Sequence, residues 1–388
     1  MNQQLNTAPD CPKHLLSQFL GGTLALLALA SPLKAIVKPF DDNSELFVTG
    51  TASAAANDNI FLSHTGQKSS VIFDLVPGVS FESGNDTSVT QTKIDLSEDF
   101  QEYTSGSLSN QLANASLTSR YDDDKAKLNF DANFHQYDQA QVGIQNVGFL
   151  VKRDESHVDG TGEVSFTEKT SGGIGAIFDD TVYKRSGFTN YQYFEVPVNY
   201  YYKFEPKLDG SAGFRYRDNT LGAGGINSHD YYYNVGARGE FTPSLTGEID
   251  VGYQAHDLAH GGNQGGLGLD SRFTYAYSPK TSVIVSVNDD FGYSALGGGG
   301  YKQPNASLGV NTKLDEQWSA NAQLSYAQYQ YVTTPQRDDF YSAQVGVSYV
   351  YNTNISFRGA YNYAQDSSNI TADSFKNNIF TVSAIFRY

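Results

Sequence analysis

Apolar and polar residues alternate along most of this chain with a period of two. In Leu245–Tyr253 the odd positions (Leu245, Gly247, Ile249, Val251, Tyr253) are apolar or small, and Glu248 and Asp250 fall between them. Such alternation gives an extended strand one dry face and one wet face. The same rhythm runs through Leu128, Phe130, Ala132, Phe134; through Phe194, Val196, Val198, Tyr200, Tyr202; through Leu208, Gly210, Ala212, Phe214, Tyr216; and through Ala343, Val345, Val347, Tyr349. The chain ends in the same way, with Phe380, Val382, Ala384, Phe386 and Tyr388 on every second position.

Short polar clusters punctuate the strands at 83–86, 122–124, 168–170, 205–207, 242–244, 278–281, 315–317 and 352–354, three of them holding a proline that ends strand pairing. Their centres lie about 37 residues apart, with one interval of about 46, and each interval fits two strands and a loop. Two strands around each turn, plus a first strand at 45–56 and a last at 375–388, predict about 18 strands. The fold expected is all-β, an antiparallel up-and-down transmembrane barrel with both termini on the periplasmic side. The opposite connections, 57–69, 104–109, 139–156, 185–188, 218–227, 257–266, 294–303, 332–339 and 366–373, are expected to face outward.

Cost decides which face meets lipid. A Lys or Arg on the lipid side at the midplane costs about 2 to 4 kcal/mol, so the polar face is expected to line the lumen. The residues assigned inward are Lys93, Asp95, Arg120, Lys127, Asp131, Glu163, Lys203, Arg215, Arg217, Arg238, Glu240, Glu248, Asp250, Asp270, Arg272, Asp290, Lys313 and Arg358. Among these the two signs are nearly balanced, which suits neutral polar solutes; equally, opposite charges could pair across strands and stiffen the wall. Tyr121, Tyr137, Tyr202, Phe204, Phe241, Tyr253, Tyr277 and Tyr351, near strand ends, are expected in interfacial girdles. The longest outward connection, 139–156, holds an apolar run, 147–151, beside Lys152, Arg153, Asp154 and Glu155. It is the candidate to fold inward as a constriction, the alternative being a surface loop or a longer hairpin.

Composition sharpens this picture. Aromatics make up 13% of residues and charged residues 18%, with 27 Tyr, 24 Phe and 37 Gly but one Met. Such a mixture suits strands and turns. An uncharged apolar run from Leu15 to Ala30 follows Lys13 and His14, so residues 1–35 are expected to be a secretory signal, cleaved after Ala30 or Ala35, with residues 36–388 forming the barrel. The single cysteine, Cys11, would leave with it, which excludes disulfides and Cys-based metal sites from the mature chain. Cleavage after Ala35 removes Lys13, Lys34 and Asp10 and takes the net charge from −16 to −17, which argues against nucleic acid.

Residues 54–62, Ala-Ala-Ala-Asn-Asp-Asn-Ile-Phe-Leu, followed by Val76-Pro77-Gly78-Val79, resemble the start of the β-barrel porin 2 family, whose members share an early Asp-Asn-(Ile or Val)-(Phe or Tyr) and a Pro-Gly shortly after. The resemblance implies a large outer-membrane barrel, and in some relatives an association with exopolysaccharide secretion. The ending Phe386-Arg387-Tyr388 also resembles the signal read by the outer-membrane assembly machinery.

Other signals carry less. His256 and His260 have helical metal spacing, but Gly261-Gly262 beside them reads as a loop, and the Gly297–Gly300 run reads as a flexible outer loop because it lacks the Lys of a phosphate loop. No spacing joins a nucleophile to a base, so no enzyme and no cofactor are expected. The function expected is a porin-like channel for passive passage of hydrophilic solutes, or a conduit assisting exopolysaccharide export; the alternative is a surface adhesin or structural barrel. The partners expected are outer-membrane lipid and lipopolysaccharide, the assembly machinery, and polysaccharide or its export apparatus.

Overall fold

The computed structural model describes residues 43–105, 108–141, 143 and 147–388, so the expected signal lies outside the described residues. Eighteen strands follow in order: β1 (Ser44–Asn57), β2 (Ser70–Ser83), β3 (Thr90–Tyr103), β4 (Ser109–Asp122), β5 (Ala126–Asp138), β6 (Lys152–Ser165), β7 (Thr170–Tyr183), β8 (Tyr191–Glu205), β9 (Leu208–Leu221), β10 (Ser228–Thr242), β11 (Leu245–Leu258), β12 (Asn263–Ser278), β13 (Thr281–Gly292), β14 (Tyr301–Lys313), β15 (Trp318–Tyr331), β16 (Arg337–Val350), β17 (Ile355–Ser368) and β18 (Phe375–Arg387). Each pairs antiparallel with its neighbours in sequence, and β1 pairs with β18, which closes the sheet into a barrel. Every tight turn falls on a cluster that the polar punctuation predicts.

Closure is tight at the two chain ends. Val48 and Tyr388 exchange reciprocal backbone hydrogen bonds of 2.7 and 2.9 Å, and the ladder continues to Asn57 opposite Ile379. Beyond β1, the Asp58-Asn59 pair of the family motif ties the first connection to β18. The Asn59 side chain, fully buried, donates to the carbonyls of Ser63 and Lys376 (2.9 and 2.8 Å) and accepts from the Ser63 amide (2.8 Å), while Asp58 accepts from Asn378. The motif therefore acts locally, as a clasp over the seam.

Directly opposed residues of an antiparallel ladder point to the same face, so register and exposure together assign every strand position. Val48, Leu96, Phe130, Ile174, Val235, Leu267, Leu324, Val345 and Val382 are all exposed, and they share the outer, lipid-facing side. Tyr202, Phe204, Tyr253, Tyr277 and Tyr351 are exposed near strand ends, as a girdle requires. Tyr137 is the exception. Its neighbours Leu128 to Phe134 face lipid on even positions, so Tyr137 falls on the inner face, where the Arg153 guanidinium lies 4.5 Å from its ring centre.

Strands run further outward than alternation predicts, since polar inner positions persist beyond the last lipid-facing residue. The clearest case is β6, whose pairing with β5 continues to Asp138 opposite Lys152. Lys152, Arg153, Asp154 and Glu155 thus stand on a strand and not in the connection before it. Arg153 pairs with Glu155 (2.5 Å) and Asp154 with Lys184 (2.5 Å), so the quartet reinforces the rim of the barrel.

Candidate functional site

Every lumen residue named from the sequence, Lys93 through Arg358, falls by register on the face opposite the lipid band. Their surroundings differ sharply around the barrel. On the wall from β14 to β1 the inner positions at mid-height are short and uncharged: Asn305, Ser307 and Asn311, then Asn321, Gln323 and Ser325, then Ser342 and Gln344, Asn362, Thr381, Thr51 and Ser53. On the wall from β5 to β13 ionised side chains, among them Asp131, Asp159, Glu195, Arg215, Arg238, Asp250 and Asp270, interrupt the small and neutral inner positions.

Two networks on that ionised wall reach across several strands. In the half that carries the long connections, Arg217 of β9 bonds Asp230 of β10 (2.7 Å) and Asp290 of β13 (3.2 Å), and donates to the carbonyl of Phe291 (2.9 Å). Arg215 reaches the same Asp290 (2.9 Å), and Glu195 of β8 lies within 3.7 Å of both guanidinium groups. Nearer the end of the barrel that carries the tight turns, Arg238 of β10 bridges Glu163 of β6 (2.7 Å) and Asp209 of β9 (3.3 Å), with its guanidinium stacked 3.3 Å from the Tyr201 ring centre. These pairs span four strands, so they draw one side of the lumen together. Cavities of about 610 Å3 beside Lys127, Glu163 and Arg238, and about 640 Å3 beside Asn311, Lys313 and Arg358, remain in the half that carries the tight turns.

The mouth is crossed by two connections. Residues 293–300, between β13 and β14, hydrogen-bond four other elements: Ala295 accepts from Thr189 (2.7 Å), Gly298 donates to Gly224 (3.1 Å) and accepts from Ile226 (3.0 Å), Gly300 accepts from Val332 (3.0 Å), and the Gly299 carbonyl accepts from His256 (2.9 Å). The Gly297–Gly300 run is thus a pinned crossbar and not a free outer loop. Glycine is required because Gly297, Gly298 and Gly300 take φ of +83°, +81° and +82°, and a Cβ at Gly297 would meet the Gly224 carbonyl at 2.5 Å. From the third outward connection, Val147, Phe149 and Val151 pack against Tyr183, Phe188 and Ala295, and Gly143 approaches the Tyr331 hydroxyl.

His256 is placed by this crossbar. It lies on β11, fully buried, with Nδ1 bonded to Asp230 (2.5 Å) and its ring stacked on Phe291, so it does not form a loop pair with His260. Tyr293, at the start of the crossbar, donates to the same Asp230 (3.0 Å); burial pushes its phenol well above the ordinary range, against the pull of Arg217, and keeps it a donor. Sequence reasoning passes over Asp230, Glu195, Tyr293 and His256 as a group because contacts between distant connections assemble them. Among the described residues no group of three or more His, Cys, Asp or Glu is arranged to hold a metal, and no helix is long and apolar enough to cross a membrane, which says nothing of strands.

Register also places acids inward that the sequence reading leaves out, among them Asp74, Asp99, Asp159, Asp179, Glu195, Asp230, Asp338 and Asp366. The Lys and Arg added are fewer, chiefly Arg153 and Arg387. The near balance of signs expected in the lumen therefore gives way to an acidic excess.

Residues 48–388 match the family described as "Putative beta-barrel porin 2", and the chain belongs to it. No curated protein matches the chain. Among solved structures, the chain is similar to the outer membrane protein OpdK from Pseudomonas aeruginosa (TM-score 0.49, 8% identity, 90% of this chain and 100% of that one). It is also similar to the siderophore receptor PirA from Acinetobacter baumannii (0.49, 8%, 91% and 81%) and to the ferric citrate transporter FecA (0.44, 11%, 83% of this chain), of which it spans 60% of the length.

Proposed function

We propose that this barrel sits in the outer membrane of a Gram-negative cell, surrounded by lipid and lipopolysaccharide and placed there by the assembly machinery, and that it conducts small hydrophilic solutes passively. The observation that carries the reading is the closed ring of eighteen strands with a polar inner face. A ring of that size is too wide for its own side chains to fill, and a wet interior lowers the barrier that hydrocarbon imposes on polar solutes. Short Ser, Thr and Asn side chains along the β14–β1 wall supply hydrogen-bonding groups without bulk. Membership of the porin family supports transport in general.

A conduit for exopolysaccharide would need a mouth open to an extended polymer, and the 293–300 crossbar favours small solutes instead. An adhesin or purely structural barrel would need no hollow at all. Purified protein inserted into planar bilayers should give stepwise conductance, and liposomes carrying it should swell in neutral sugars; a silent, impermeable barrel would overturn the channel. Deleting the gene should leave surface polysaccharide unchanged, and loss of that polymer would favour the conduit.

A further inference from the structure

Carboxylates stand in adjacent couples on the inner face. Asp131 of β5 is directly opposite Asp159 of β6, and Asp250 of β11 directly opposite Asp270 of β12. Asp74 of β2 and Asp99 of β3 form a third, diagonal couple. Like charges placed opposite one another across a ladder destabilise it, so these positions break the pairing rule that Lys127 opposite Glu163 and Arg238 opposite Asp209 obey elsewhere in the same lumen. None of the six lies within 4 Å of a Lys or Arg among the described residues, although Ser53 and Ser211 donate to Asp74 and Asp250 (2.8 and 2.9 Å).

The lumenal cations are distributed in the opposite sense. In the outer half and at mid-height, Arg153, Arg215 and Arg217 are held by Glu155, Glu195, Asp230 and Asp290. Lys and Arg without an ion pair, such as Arg120, Lys203, Lys313 and Arg358, stand close to the periplasmic ends of their strands. A solute entering from outside therefore meets ion-paired arginines and the acid couples first; Arg272, opposite Glu248 and two positions beyond Asp270 on the same face, is the first inner-face cation without an ion pair among the described residues, and the others follow near the far end.

From this arrangement, which rests on the channel reading above, we propose that the acid couples at mid-height make the passage selective for cations, including cationic organic solutes, over anions. A cleft lined by one sign of charge with low-dielectric walls concentrates the opposite ion. The tests use the full-length mature barrel in planar bilayers under a KCl gradient. The reversal potential should report a K+ to Cl− permeability ratio on the order of 10 at 0.1 M salt, falling toward unity near 1 M, where the screening length is about 3 Å. Asp131→Asn with Asp250→Asn should lower that ratio while leaving the single-channel step in place. A wild-type ratio at or below unity in 0.1 M salt would overturn the proposal whatever the variants do, as would a ratio indifferent to both substitutions in channels that still conduct. Absence of any conductance would instead fall on the channel reading and take this inference with it.

Discussion

The two walls of the lumen solve the same problem in different ways. Both must present a polar face to water, yet the β5–β13 wall uses long charged side chains and the β14–β1 wall uses Ser, Thr, Asn and Gln. The difference follows from reach. Arg217 and Arg238 each extend to partners four strands away, so their wall is cross-braced and narrowed. Hydroxyls and amides reach only their neighbours, as where Gln323 donates to Ser325 at 3.3 Å, and they leave the space in front of them open. Passage is therefore expected along the neutral wall, with the charged wall fixing its width and its electric field.

Experiments can break this contrast. The largest effect is expected from Arg217→Ala, which takes the guanidinium from buried Asp230, left with His256 and Tyr293, and leaves half-buried Asp290 to Arg215 alone; the cost should be about 3 kcal/mol, measured by urea unfolding in detergent, with a rise in single-channel conductance as the brace is lost. Next comes Asn59→Ala at the edge of the neutral wall. It removes hydrogen bonds to Ser63 and Lys376 and should cost about 2 to 3 kcal/mol, read as a lower temperature for loss of the folded band on an unheated gel. Placing a charge on the neutral wall with Asn362→Lys should leave stability within about 0.5 kcal/mol but reduce both K+ preference and conductance. Asp131→Asn should gain about 0.2 to 1 kcal/mol by relieving its repulsion with Asp159.

The smallest effect is expected outside the membrane, at the β4–β5 turn below the charged wall. Hydrogen bonds from the Tyr121 hydroxyl and the Ala126 and Lys125 amides hold the Asp123 carboxyl below its ordinary range. Its contribution to the turn is thus present above the ordinary carboxylate pKa and is lost as pH falls through the lowered one. Acid should loosen the turn in the wild type and leave Asp123→Asn indifferent, as amide exchange at Ala126 would report.

What could be seen in the sequence was whatever short-range chemistry decides. Pro206, Pro243 and Pro279 end strands by removing a donor, and alternation shows the lipid face wherever one side is consistently greasy. Where polar residues occupy both faces, as at Ser97-Glu98-Asp99 on β3, alternation cannot tell inside from outside, and Asp99 escaped for that reason. Asp338 and Asp366 escaped because the outer ends of β16 and β17 read as loops. The crossbar was illegible altogether, since four glycines look flexible until Gly224, Thr189 and His256 are known to stand beside them.

The clasp at the seam has a bearing on how the molecule is made and lost. Val48 pairs with Tyr388 across the β1–β18 seam, so the cylinder cannot shut until the eighteenth strand of the sheet is in place. Contacts this distant in sequence form late and slowly, which is a reason for such proteins to need a folding catalyst at the bilayer. Once shut, the wall has no loose edge at which to start fraying, and the finished protein should persist through the rate of its opening more than through the depth of its energy well.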